Sequence, residues 1–197
     1  MPVLHLAVKH NDRQFIPLVY SHWQKALVQG KEQPDIILYN CHKQYNHLQA
    51  VVMTGPDEWK MKVQGNTLVA SIDYKMNNAQ YKHNSCHVNF GLGSRYNKRV
   101  LIFGDQTACV HSALVEACVE TLKVVEKICN GDAKIHQIVV KTPSRRMVEV
   151  MAWRRSISTP RFSTAEVKAV RGLYAKLEEK FRALERQGRQ VQFWLVK

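Results

Sequence analysis

The segment Trp153-Arg154-Arg155-Ser156-Ile157-Ser158-Thr159-Pro160-Arg161-Phe162 interleaves three guanidinium groups with two aromatic rings. A guanidinium presents planar donors to a phosphate, and an aromatic ring offers a face on which a base can stack. The spacing therefore suits contact with nucleic acid, and Arg145 and Arg146 stand close upstream to assist. The purely structural alternative puts Trp153 in the core and leaves the arginines solvated.

Acidic chemistry is sparser. Ser71-Ile72-Asp73-Tyr74-Lys75-Met76-Asn77-Asn78 reads as a strand running into an asparagine turn, and a returning strand ends near Gly91. Asp73 is either a strand-end carboxylate that closes the turn or a residual contact for a metal or backbone. Asparagine is a common turn former, so Asn77 and Asn78 have a structural role ready to hand. Cys41-His42 with His47, and His83 with Cys86-His87, are soft-metal ligand types, but their spacing matches no structural zinc pattern of two short-looped pairs. No nucleophile elbow, phosphate-binding glycine loop or dinucleotide fingerprint occurs, and Gly91-Leu92-Gly93 reads as a strand end and turn.

The charge balance points to a polyanionic partner. Over 197 residues, 29 Lys and Arg against 16 Asp and Glu give +13, and the last 57 residues carry fourteen of those bases against five Glu. Each phosphate neutralised by such a surface releases counterions, so binding of this kind is sensitive to salt. The apolar runs are short, far below the roughly 20 residues of a membrane helix. Five cysteines without close pairing fit a reducing interior, and the first thirty residues have no secretory pattern. An intracellular protein is expected, with nucleus, cytoplasm and mitochondrion left open.

The elements that must position these groups follow from periodicity. Phe15 to Gln29 has helical spacing, while Ile36 to Tyr39, Ala50 to Met53 and Trp59 to Val63 are strand-like, with Gly55-Pro56 and Gly65-Asn66 as turns. Residues 1–66 are therefore expected to form an N-terminal α+β extension that packs on, or extends the sheet of, residues 67–197. Strands are predicted at 67–74, 85–92 and 98–103, then a helix from about Ser112 to Cys129 whose buried stripe is Leu114, Cys118, Leu122, Val125 and Cys129. A buried strand at Lys134–Val140 and a helix at Pro143–Trp153 come next. Ser163-Thr164-Ala165-Glu166 has capping-box spacing for a long helix with an apolar face of Val167, Val170, Tyr174, Leu177, Phe181 and Leu184. Gly188 stops it, and Val191–Val196 is the last strand.

Three antiparallel strands followed by helix, strand, helix, helix and strand form a mixed α/β sheet. With the Ile72-Asp73 opening and its Asn77-Asn78, the Phe103-Gly104-Asp105 segment and the closing Leu184-Glu185-Arg186-Gln187-Gly188 to Val191-Gln192-Phe193-Trp194, this order resembles a type 1 ribonuclease H domain of the kind common in fungi. The resemblance covers about residues 67–197. It implies a ribonuclease H-like fold and, in active members, two-metal cleavage of the RNA strand of an RNA/DNA hybrid. It sets Asp73 at the first metal-binding aspartate, and likens Asn77 and Asn78 to turn asparagines near the RNA sugar edge and Trp153–Phe162 to a basic protrusion along the DNA strand. The other metal carboxylates fall on Leu114 and Thr142, and the last lies beyond Lys197. Magnesium is held by clusters of oxygen ligands, and one carboxylate does not offset its dehydration. The resemblance thus implies a scaffold without hydrolysis: a nucleic-acid-binding or assembly module for RNA or RNA/DNA hybrid, needing no cofactor, with magnesium only if cleavage survives. The alternatives are an active hybrid nuclease using Asp105 or Glu116, and a protein-interaction scaffold working through the N-terminal extension.

Overall fold

The computed structural model describes residues 13–17, 36–53, 55, 59–75, 84–102, 107–152 and 164–196. In chain order the strands are β1 (Ile37–Asn40), β2 (Tyr45–Met53), β3 (Trp59–Lys75), β4 (Asn84–Asn89) and β5 (Lys98–Ile102), followed by helix α1 (Thr107–Gly131). Strand β6 (Gln137–Thr142), helices α2 (Arg145–Met151) and α3 (Thr164–Arg186), and strand β7 (Gln190–Leu195) complete the order. This is a mixed α/β architecture, consistent in general terms with the ribonuclease H-like topology the sequence resembles.

β3 is the hub. It pairs antiparallel with β2 and β4, and parallel with β6, which in turn pairs parallel with β7. Val69 faces Asn46 of β2 as well as Val139 of β6, and Ser71 faces Asn89 of β4 as well as Lys141. A strand has two edges, so β2 and β4 share one edge of β3, end to end, and β6 takes the other.

Gly65-Asn66 does not reverse the chain as its composition suggests; both residues lie inside β3. Asn46 faces Val69 while Leu48 faces Gln64, so a step of two residues in β2 answers a step of five in β3, and the surplus becomes a bulge. Thr67 seals it: its hydroxyl accepts from Leu48 N at 2.8 Å and donates to Gln64 O at 2.7 Å. Thr67, where the N-terminal extension is expected to end, thus sits in the middle of one continuous strand.

Gln14 forms a parallel bridge with Phe193 on the outer edge of β7, so Phe15, expected to open an amphipathic helix, still belongs to this edge contact, and helix is reached at Pro17. The Phe15 N–H donates to Phe193 O at 2.7 Å, and Phe193 N donates to Arg13 O at 2.6 Å. Residues 18–29 lie outside the described part. Arg13 anchors this segment by reaching both Glu178 (2.7 Å) and Glu185 (2.9 Å) on α3, with its guanidinium 4.9 Å from the centre of the Phe181 ring.

Side chains alternate across the sheet, so each strand supplies two faces. Leu68, Ala70 and Ile72 join Val88, Phe90, Val140 and Phe193 beneath α1 and α3, where the predicted stripe of Leu114, Cys118, Leu122, Val125 and Cys129 is buried. On the other face a smaller cluster of Phe15, Ile36, Leu48, Val69 and Val139 covers one end of the sheet. Gly91, just after β4, has φ +139°, and a Cβ there would overlap the Tyr39 ring, so only glycine admits this close approach of β1. Gly188 at φ +76° ends α3, with Arg189 N closing back on Leu184 O at 3.2 Å.

Candidate nucleic-acid interface

The positions that the resemblance assigns to metal ligands can be followed through the strand register. Ser71 lies opposite Lys141, so the next residues along, Ile72 and Thr142, point together toward the helices. Ile72 shares the main core with Leu114, which is 7% exposed, and Thr142 is fully buried. Thr142 has structural work: its hydroxyl accepts from Ser144 N at 3.1 Å, and Ser144 caps α2 by accepting from Met147 N at 3.2 Å. Asp73, one residue beyond Ile72, projects from the opposite face and is exposed. The sheet therefore separates Asp73 from Leu114 and Thr142.

Among the described residues, the cross-strand neighbours of Asp73 are basic or neutral. His87 stands opposite it on β4 and Arg99 opposite His87 on β5, which makes one row across the sheet. Lys75, Ser85 and Leu101 form the next row. On the other side of Asp73, Asn89, Ser71, Lys141 and Trp194 form a third. Lys141 Nζ lies 4.6 Å from the centre of the Trp194 ring. Burial holds the His87 pKa below its ordinary value, the cations Lys75 and Arg99 press it further down, and Asp73 pulls the other way.

Behind the sheet, the first turns of α1 build a neutral site. His111 Nε2 and Tyr174 Oη are 3.1 Å apart in a buried hydrogen bond. Burial and then the Arg146 charge push the His111 pKa down to about 4. Burial raises that of Tyr174, so the phenol keeps its proton and donates to the imidazole. Cys86 is pushed up to about 11 by burial and then by the nearby Glu116 carboxylate. Cys86 belongs to the core beneath the helices, so Glu116, exposed on α1, lies across the sheet from Asp73.

Arg145 is exposed and pairs with Glu149 at 3.0 Å, one helical turn away, while Arg146 is half-buried beside His111 and Tyr174. The structure thus divides these two neighbours between solvent and interior. Asn77, Asn78, Asp105, Trp153, Arg154, Arg155 and Arg161 lie outside the described residues. Cys86 and His87, adjacent on β4, point to opposite faces, and among the described residues no three His, Cys, Asp or Glu side chains gather where they could hold a metal ion.

Several organising contacts carried no sequence signal. Asp132 accepts from Lys43 Nζ (2.7 Å), Tyr45 Oη (2.9 Å) and Lys134 N (3.1 Å), tying β2 to the end of α1. Burial opposes its charge, yet these donors hold its carboxyl below the usual range. His111 lies in an unremarkable Val110-His111-Ser112, and the Arg13 anchor joins groups more than 160 residues apart.

No family model matches the chain, and no curated protein matches it. Among solved structures, the N-terminal RNase H domain of Rv2228c from Mycobacterium tuberculosis, determined as a fusion protein with maltose-binding protein, is similar over 66% of this chain and 87% of that chain, with 15% identity and a TM-score of 0.39. Among the described residues no helix is long and apolar enough to cross a membrane.

Proposed function

We propose that this chain is a nucleic-acid-binding or assembly module for RNA or RNA/DNA hybrid, on a ribonuclease H-like scaffold that does not hydrolyse. The observation that carries the reading is the register around Asp73. The one carboxylate assigned to metal binding lies across the sheet from Leu114 and Thr142, both buried and neutral. Two-metal hydrolysis needs carboxylates that converge on one point, and side chains on opposite faces of a sheet do not converge. The net charge of +13 supports a phosphate-bearing partner.

The test is incubation with a labelled RNA/DNA hybrid in magnesium or manganese. The hybrid is expected to be bound and left intact; turnover that Asp73→Asn abolishes would overturn the reading. One observation favours a second reading, a protein-interaction scaffold: Leu38, Met61 and Val63 on β1 and β3 are 37–43% exposed. That reading predicts weak binding of every nucleic acid at physiological salt and a partner held by this arm.

A further inference from the structure

We infer that the end of the sheet face turned away from the helices, where Asp73, Lys75 and Arg99 are exposed, is a docking surface for single-stranded nucleic acid, with Lys75, Arg99 and Lys141 as its phosphate contacts. The inference rests on the proposed nucleic-acid-binding function and gives it a location built from described residues.

Three features of the face lead there. First, its apolar cover thins beyond Val69 and Val139 to the partly buried Trp194, which packs against Phe15; beside it Ser71, Asp73 and Lys75 on β3 and Lys141 on β6 emerge from the same side. Second, its cations are available. Lys75 and Arg99 are exposed and form no ion pair among the described residues, and Lys141 rests against the Trp194 ring instead of a carboxylate. His87, at the centre of the face, has its pKa lowered first by burial and then by Lys75 and Arg99, so both cations lie close enough to act on it. Third, the spacing suits a flexible strand. With about 4.8 Å between strands and about 3.3 Å per residue, the register sets the three cations roughly 12–16 Å apart in a triangle. A single strand can bend to visit three points that are not collinear, whereas a duplex presents stiff, parallel phosphate rows. Sheet faces with an aromatic side chain beside basic ones suit unstacked bases, and Trp194 lies next to Lys141 at one margin.

Asp73 sits inside this triangle and repels phosphate. It steers the backbone around itself while remaining able to accept from a base amine or a sugar hydroxyl. That role has a sign opposite to metal binding: removing its charge strengthens binding here.

The experiment measures binding of a labelled oligouridine of about 15 nucleotides across a salt series, using the full chain, K75Q/R99Q/K141Q, R154Q/R155Q/R161Q and D73N. The sheet-face triple variant is expected to bind at least about tenfold more weakly, and the slope of log affinity against log salt should shrink by about 2, near 0.7 per lost phosphate contact. D73N should bind about twofold to fivefold more tightly, as expected for removing a like charge at partly screened distance. Unchanged affinity in K75Q/R99Q/K141Q, with loss confined to R154Q/R155Q/R161Q, would overturn this surface and leave the proposed function standing. Weaker binding by D73N, or equal affinity for a duplex of the same length, would also overturn it. Failure of the full chain to bind any nucleic acid at low salt would remove the proposed function itself.

Discussion

His111 couples this fold to pH through a single side chain. Its pKa in the folded chain is about 4 against an ordinary 6.5, so between those values the unfolded chain holds more protons than the folded one. Stability therefore falls as pH drops from about 6.5 toward 4 and levels off below, a loss of up to about 3 kcal/mol at 1.4 kcal/mol per pH unit. His47, also buried and shifted downward by burial, acts with the same sign. Replacing His111 by Gln should cost about 1 kcal/mol at pH 7 through the weakened contact with Tyr174, and should flatten the acid limb. Urea unfolding at pH 7 and pH 5 checks this: an unchanged difference between the two pH values in H111Q would show that the acid limb arises elsewhere. Nothing in the sequence marks this histidine, because its burial becomes visible only once α3 brings Tyr174 against it. Asp73 is legible as a strand residue, but its face is not. A shift of one position carries a side chain through the sheet, and alternation around Ile72 decides which side it takes.

The segment from Arg13 to Phe15 shows how much of an element's identity is tertiary. Helical spacing begins at Phe15 and helix is reached at Pro17, yet just before it the edge of β7 offers backbone partners that local propensity does not contain, and Phe15 N and Arg13 O are used there. The anchor is a forked guanidinium between two carboxylates and above Phe181, with the Arg13 side chain only 11% exposed. Arg13→Ala should destabilise the chain by about 2 kcal/mol, since Glu185 loses the guanidinium it shares with Glu178, Glu178 keeps only Arg182, and the Phe181 ring loses its cover. Arg13→Lys should recover only part of that loss, because an ammonium cannot fork to both partners. Amide exchange reads the same event locally: the Phe193 N–H, bonded to Arg13 O, should exchange faster in both variants, with unaltered protection meaning that the bridge stands without its anchor. By contrast α1, α3, β6 and β7 were legible. Their apolar stripes repeat over several turns or strand pairs, and periodicity over such lengths outweighs local noise.

At the scale of the molecule, the residues before Thr67 are part of the sheet's construction. The sequence reads as an extension over residues 1–66 that packs on or extends the sheet, with Gly55-Pro56 and Gly65-Asn66 as its turns. In the fold Gly65 and Asn66 are absorbed as a bulge within the 17-residue β3, and Leu48 and Ile36 from the preceding part join Phe15 in covering Val69 and Val139. A chain cut at Thr67 would lose β1, β2 and almost half of the hub strand, and it would bare the second cluster to water. Removing Phe15, Ile36 and Leu48 alone forfeits about 6 kcal/mol of apolar burial at roughly 2 kcal/mol per side chain, a large fraction of the stability of an ordinary domain. Residues 67–197 expressed alone should therefore fail to give a cooperative thermal transition, or should melt at least about 10 °C below the full chain. A fragment that melted as cooperatively and at the same temperature as the full chain would show that the preceding residues are an appendage after all. The same consideration bears on nucleic-acid binding: Val69 and Val139 lie directly below the row of Ser71 and Lys141, so the cluster that the N-terminal part completes is also the support on which the basic end of the sheet face rests.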